Sequence, residues 1–124
     1  MHFTFIYRNI AIYKCMGVTK TDNFNKTQNR VAELAKAIGH PARIAILEFL
    51  IKKNACICND IVDELPLSQS TVSQHLKALK EVGLIKGDIE GTSICYCIDE
   101  KVWKEVQLML NKLFDSFQQG KDCC

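Results

Sequence analysis

Val31, Leu34, Ala35 and Ile38 recur at i, i+3, i+4 and i+7, which predicts one face of a helix ending at Gly39. His40-Pro41 opens a second helix, with proline suited to its first turn, and Ile44, Leu47, Leu50 and Ile51 are its expected core positions up to about Lys53. Ala55 to Cys58 reads as a short extended stretch. Asn59 is placed to cap a short third helix carrying Ile61, Val62 and Leu65. Pro66-Leu67 makes a turn, and Ser68 caps a fourth helix over about Gln69–Val82 that Gly83 stops. Leu84–Asp88 and Thr92–Ile98 read as two strands around Glu90-Gly91. Asp99 then caps a last helix reaching about Gln118. The expected fold is mainly α with a small β-wing: a helix-turn-helix followed by a hairpin.

The fourth helix has two unlike sides. At 100° per residue, Val72, Leu76 and Leu79 share one side, while Ser70, Ser73, Gln74 and Lys77 fall nearly opposite, with no acid among them. The apolar side anchors the helix on a core. The other side has the chemistry a major groove accepts: an amide that pairs with adenine through both its donor and its acceptor, hydroxyls for bases or phosphates, and an ammonium for a phosphate.

The segments "LAKAIGHPARIAILEFL" and "LPLSQSTVSQHLKALKEVGLI", followed by a G-x-x-x-G wing, resemble the ArsR/SmtB family of metal-responsive winged-helix repressors over roughly Val31 to Val106. The resemblance implies a homodimer, formed through first and last helices, that holds double-stranded operator DNA and releases it when an inducer binds. It also implies that Ser68, Gln69, Ser70, Thr71, Ser73, Gln74, His75 and Lys77 face the DNA. A two-fold dimer sets its reading helices about 34–36 Å apart, so the operator is expected to be an inverted repeat. The wing departs from the family's basic pattern, since Asp88 and Glu90 stand near its tip and would repel phosphates. Arg43, Lys52 and Lys53 are alternative sources of phosphate attraction.

On the last helix, Val102, Val106, Met109 and Leu113 form one stripe and Trp103, Leu110, Phe114 and Phe117 a second. Together they are wider than one small core needs, which suggests a second subunit.

Composition adds little until the cysteines are counted. The chain has 124 residues, 48% hydrophobic and 24% charged, which excludes a disordered or collagen-like protein and fits one compact domain. The net charge is only +2, so any DNA-binding face is built locally. Residues 1–25 read as a leader, 26–119 as the DNA-binding and dimerisation domain, and 120–124 as a cysteine-bearing tail. Within the leader, Phe3–Met16 is too short and too interrupted by Arg8 and Lys14 to span a membrane and lacks the basic start and small-residue cleavage site of a signal peptide, and Met16 is an alternative start. A cytoplasmic protein is therefore expected.

Seven cysteines, at 15, 56, 58, 95, 97, 123 and 124, are many for this length. In a reducing compartment such clusters point to metal or redox chemistry. Cys56-Ile57-Cys58 and Cys95-Tyr96-Cys97 are both C-x-C pairs in extended stretches, where each pair projects to one face. In a winged helix the stretch before the third helix pairs with the returning wing strand, which would bring the four thiols together. Ile94, Tyr96 and Ile98 are the expected core face of that strand, turning Cys95 and Cys97 outward. Family sensors carry a C-x-C directly before the acid opening the third helix. Asn59 shifts Cys56 and Cys58 by one position, which leaves them either outward or buried as small hydrophobes. Cys123-Cys124 is a second candidate pair, and Cys15 receives no role.

An all-sulfur donor set selects soft ions. His2, His40 and His75 make no ligand pair, so a trivalent arsenical is the favoured inducer, with cadmium, lead or zinc as alternatives. No cofactor is required for DNA binding itself. A thiol-based redox repressor uses the same fold and the same cysteines. A protein-interaction module is a further alternative. A thiol enzyme is not expected, since neither His40 nor His75 stands free to serve as a base.

Overall fold

The computed structural model describes residues 22–57, 60–90 and 93–118. In chain order the elements are α1 (Lys26–Ile38), α2 (Pro41–Lys53), α3 (Asp60–Glu64), α4 (Gln69–Glu81), β1 (Ile85–Glu90), β2 (Ser93–Ile98) and α5 (Glu100–Asp115). The chain divides into two units, residues 1–32 and 33–124. Mainly α with a two-stranded hairpin, it has the expected winged architecture.

In the first unit, α1 starts five residues before its first periodic apolar position. Asn25 Oδ1 accepts from Gln28 N at 2.8 Å, and Gln28 Oε1 accepts from Asn25 N at 3.0 Å. This reciprocal box satisfies two backbone donors that a helix start leaves unpaired. The polar residues 26–30, ahead of the first periodic apolar position, thus form the opening turn of the helix.

The second unit is built on a core of Leu34, Ile46, Leu47, Leu50, Ile61, Val72, Leu76, Leu79, Leu84 and Ile85. Two expectations change here. Ala35 is exposed and Ala37 buried, because the buried face of α1 centres on Leu34 and its i+3 neighbour. On α2, Ile46 takes the core position, while Ile44 and Ile51 are 41% and 49% exposed. That helix is apolar on nearly every side, so spacing alone cannot choose which side faces inward.

The expected polar reading side of α4 is set by its ends. Ser68 caps the start, its Oγ accepting from Thr71 N at 3.3 Å. At the other end Leu84 N donates to Leu79 O at 3.1 Å and Gly83 N to Lys80 O at 3.0 Å. This pair of bonds needs the left-handed residue that Gly83 supplies, with φ of 86°. The chain then turns directly into β1. β1 and β2 pair antiparallel, Ile85 opposite Ile98 and Glu90 opposite Ser93. Ile57 bridges to Tyr96 from the far side of β2, as the C-x-C reading requires. Asp99 caps α5, with Oδ1 accepting from Lys101 N at 3.0 Å and Val102 N at 3.3 Å.

The last helix spends only half of its apolar surface within the subunit. Val106 is buried, and Val102, Trp103, Met109 and Leu110 pack against the core. Leu108, Leu113, Phe114 and Phe117 are between 55% and 76% exposed. Ile44 and Ile51 of α2 join Trp103, Leu110 and Phe114 around an apolar groove of about 430 Å³. Among the described residues no helix is long and apolar enough to cross a membrane.

Candidate nucleic-acid interface and the thiol-bearing strands

Six of the eight residues expected to face DNA are exposed: Ser68, Gln69, Ser70, Ser73, Gln74 and Lys77. Thr71 is half-buried, its hydroxyl 2.8 Å from Ser68 Oγ at the helix cap. Buried Val72, Leu76 and Leu79 hold the opposite side, so the polar side stands clear of the core.

His75 is also half-buried, and it is engaged from within. Its ring lies 4.4 Å, centroid to centroid, from His40, and its Nδ1 accepts from Arg43 Nε at 3.3 Å. Arg43 also donates through Nη1 to Ala37 O at 2.9 Å and Lys36 O at 3.4 Å, the last turn of α1. His40 is itself tied down as the cap of α2, its Nδ1 accepting from Ala42 N at 3.0 Å. Arg43 thus fastens the end of α1 to α4. Sequence reasoning offered it as a phosphate contact and His75 as a reading residue. Lys52 and Lys53 are exposed, with Lys53 Nζ 5.6 Å from the Phe49 ring centre.

Partial burial, with smaller contributions from His40 and Arg43, lowers the His75 pKa from its ordinary 6.5. The unfolded chain therefore takes up more protons than the folded one as pH falls below about 6.5. Thermal unfolding should show full stability above that pH and a decline below it. His75→Gln should flatten this decline.

The wing carries Lys86, exposed on β1. The side chains of Asp88 and Glu90, and the wing tip at 91–92, lie outside the described residues.

The thiols are arranged differently from expectation. Cys95 is 1% and Cys97 7% exposed, whereas Ile94 is 44% exposed. Tyr96 and Ile98 do pack on the core, as expected. The outward placement of Cys95 and Cys97 is thereby corrected. Cys95 and Cys97 share the more buried face of β2, and the 55–57 stretch lies along its free edge. Ile57 and Tyr96 exchange both backbone hydrogen bonds, each at 2.9 Å. The next pair along, Cys56 and Cys97, is therefore a close non-hydrogen-bonded pair, with Cα atoms 4.4 Å apart. Their sulfurs are joined in a disulfide. Cys95 is disulfide-bonded as well. Cys56 is the exposed member of its pair. Cys58, Asn59, Cys15, Cys123 and Cys124 lie outside the described residues. Among the described residues no group of three or more His, Cys, Asp or Glu side chains is placed to hold a metal ion. Sulfurs spent in disulfides offer no thiolate.

Residues 40–86 match the arsR family of bacterial regulatory proteins. The chain is 40% identical over 86 residues to the HTH-type transcriptional regulator MJ1325 of Methanocaldococcus jannaschii, covering 68% of this chain and 94% of that one. It is 30% identical over 88 residues to a cadmium resistance transcriptional regulatory protein, a CadC homolog of Staphylococcus aureus, covering 70% and 72%. The fold also matches a homodimeric winged helix-turn-helix DNA-binding domain from Mycobacterium bovis, with a TM-score of 0.58 and 24% identity over 86% of this chain and 95% of that one.

Proposed function

The chain belongs to the ArsR/SmtB family of winged-helix transcriptional regulators, a class of DNA-binding proteins and not of enzymes, and on that premise we propose a homodimeric repressor that leaves its operator when its strand thiols react. The observation that carries the DNA reading is the exposed row Ser70, Ser73, Gln74 and Lys77 on a helix braced from behind by Arg43. Residues 26–119 form the operator-binding and dimerisation domain, working in the cytoplasm. The exposed apolar half of α5 and the groove beside it form the two-fold interface. The homodimeric state of the Mycobacterium bovis relative supports this assignment.

The effector is a thiophilic ion acting on the reduced protein, with trivalent arsenic preferred. Cys97 stands opposite Cys56, and Cys95 lies two residues along β2 on the same strand face. Once reduced, these three sulfurs suit an ion that binds three soft ligands. Cys58 belongs to the candidate set by its C-x-C spacing, and Cys123 and Cys124 form a second pair. The cadmium-resistance relative supports a soft ion in general.

The effector ties the 55–57 stretch to β2. β2 continues into Asp99 and α5, the helix assigned to the dimer interface. A change there alters the spacing of the reading helices. A coupling of about 1–3 kcal/mol weakens operator binding roughly 5–150-fold. Cys95→Ser with Cys97→Ser should bind operator normally and lose arsenite-driven release. Unchanged release in that variant sinks the strand site.

The Cys56–Cys97 disulfide supports a second reading, in which oxidation itself is the signal. Diamide or peroxide would then release DNA without any metal.

A further inference from the structure

The Cys56–Cys97 pair opens on a cleft of about 780 Å³. One wall is the end of α2 with Asn54 and Ala55. The other runs from Lys86 on β1 to the first turn of α5. Lys86, Lys101 and Lys104 line it, against the acids Asp99 and Glu100. The Asp99 carboxylate is already committed to capping α5 through the backbone of Lys101 and Val102. The three lysines and Glu100 are exposed, so the balance offered to a ligand is positive. The volume suits a molecule of small-peptide size.

The two sulfurs of the pair are unequal. Cys56 is exposed and Cys97 is 7% exposed. An incoming reagent in the cleft therefore meets Cys56 first, since Cys97 shows it little surface.

We propose that this cleft is a binding site for anionic low-molecular-weight disulfides, which oxidise the pair by thiol–disulfide exchange at Cys56. The proposal rests on the oxidation reading of the thiol site. In the reduced protein the Cys56 thiolate attacks one sulfur of the ligand's S–S bond. That bond breaks, a Cys56–ligand mixed disulfide forms, and one ligand thiolate leaves with the electron pair. The Cys97 thiolate then attacks the Cys56 sulfur, forming the Cys56–Cys97 bond and expelling the second ligand thiolate. The protein loses two electrons and the ligand gains them. The two protons lost by the cysteines end on the two released thiols. Lysines around the cleft raise the local concentration of an anionic ligand and favour its departing thiolates. No metal takes part.

The test uses the full reduced chain with two probes of opposite charge, oxidised glutathione and cystamine. The readout is the Cys56–Cys97 linked peptide after quenching, quantified by mass spectrometry. The variant Lys86→Gln/Lys101→Gln/Lys104→Gln should form the bond at least about tenfold more slowly with oxidised glutathione and no more slowly with cystamine. Cys97→Ser should accumulate a glutathione adduct on Cys56, and Cys56→Ser none on Cys97. Equal rates in the variant and the parent with oxidised glutathione, the bond still forming, overturn the anion site and leave the oxidation reading standing. An adduct on Cys97 in Cys56→Ser overturns the order of attack. Absence of the Cys56–Cys97 bond with either probe, or with peroxide, overturns both the site and the oxidation reading.

Discussion

Gln74→Ala is expected to weaken binding to the protein's own upstream DNA about 5–150-fold while leaving thermal stability unchanged. Gln74 is exposed at the middle of the reading side of α4, where its amide is free to pair a base edge. A well-placed bidentate amide contributes about 1–3 kcal/mol of discrimination, and nothing in the fold depends on it. The loss should fall mainly on the specific site, narrowing the gap to unrelated DNA. Lys77→Ala makes the contrasting control. Its ammonium is suited to a phosphate, so it should weaken all sequences alike and reduce the salt slope by about one. Anisotropy titrations at several salt concentrations separate the two. Equal loss on specific and unrelated DNA for Gln74→Ala would remove that residue from base reading.

The second large effect is expected at α5. Leu113→Lys with Phe114→Lys should turn a dimer into a 14.1 kDa monomer in sedimentation. Leu113 is 55% and Phe114 67% exposed, so neither supports the subunit's own core, and folding should survive. A lysine ammonium buried in an apolar interface costs several kcal/mol, more than a modest interface can supply. Operator affinity should then fall about 100-fold or more, because two half-sites are no longer engaged by one linked molecule. A folded variant that remains dimeric would place the interface elsewhere.

Much of the fold was legible because its elements are locally punctuated. Ser68, Gly83 and Asp99 mark helix ends whose hydrogen bonds are found where they were expected. The polar reading side of α4 followed from spacing, since Val72, Leu76 and Leu79 leave only one side inward. Spacing failed where both sides of an element are apolar. On α2 it could not rank Ile46 above Ile44 or Ile51. On β2 it chose Ile94, Tyr96 and Ile98 as the one buried face. The structure buries Cys95 and Cys97 on the other face and leaves Ile94 44% exposed, and alternation alone could not rank two faces that are both apolar.

The brace at His75 was missed for a different reason. A histidine among serines and glutamines looks like part of the same polar side. Its partners Arg43 and His40 stand more than thirty positions away in sequence, and only the packing of α2 against α4 brings them together. Sequence could bring the two C-x-C pairs together because the stretch before the third helix pairs with the returning wing strand, but it did not pair Cys56 with Cys97. It could not decide which sulfur of the pair meets solvent.

The central claim is that thiol chemistry at β2 and the 55–57 stretch controls operator binding. The most direct measurement is fluorescence anisotropy of the reduced protein on its labelled upstream DNA during an arsenite titration. The account predicts tight binding that is lost near stoichiometric arsenite, and retained in Cys95→Ser/Cys97→Ser. Tight binding by the reduced protein that neither arsenite, cadmium nor diamide disturbs would contradict it.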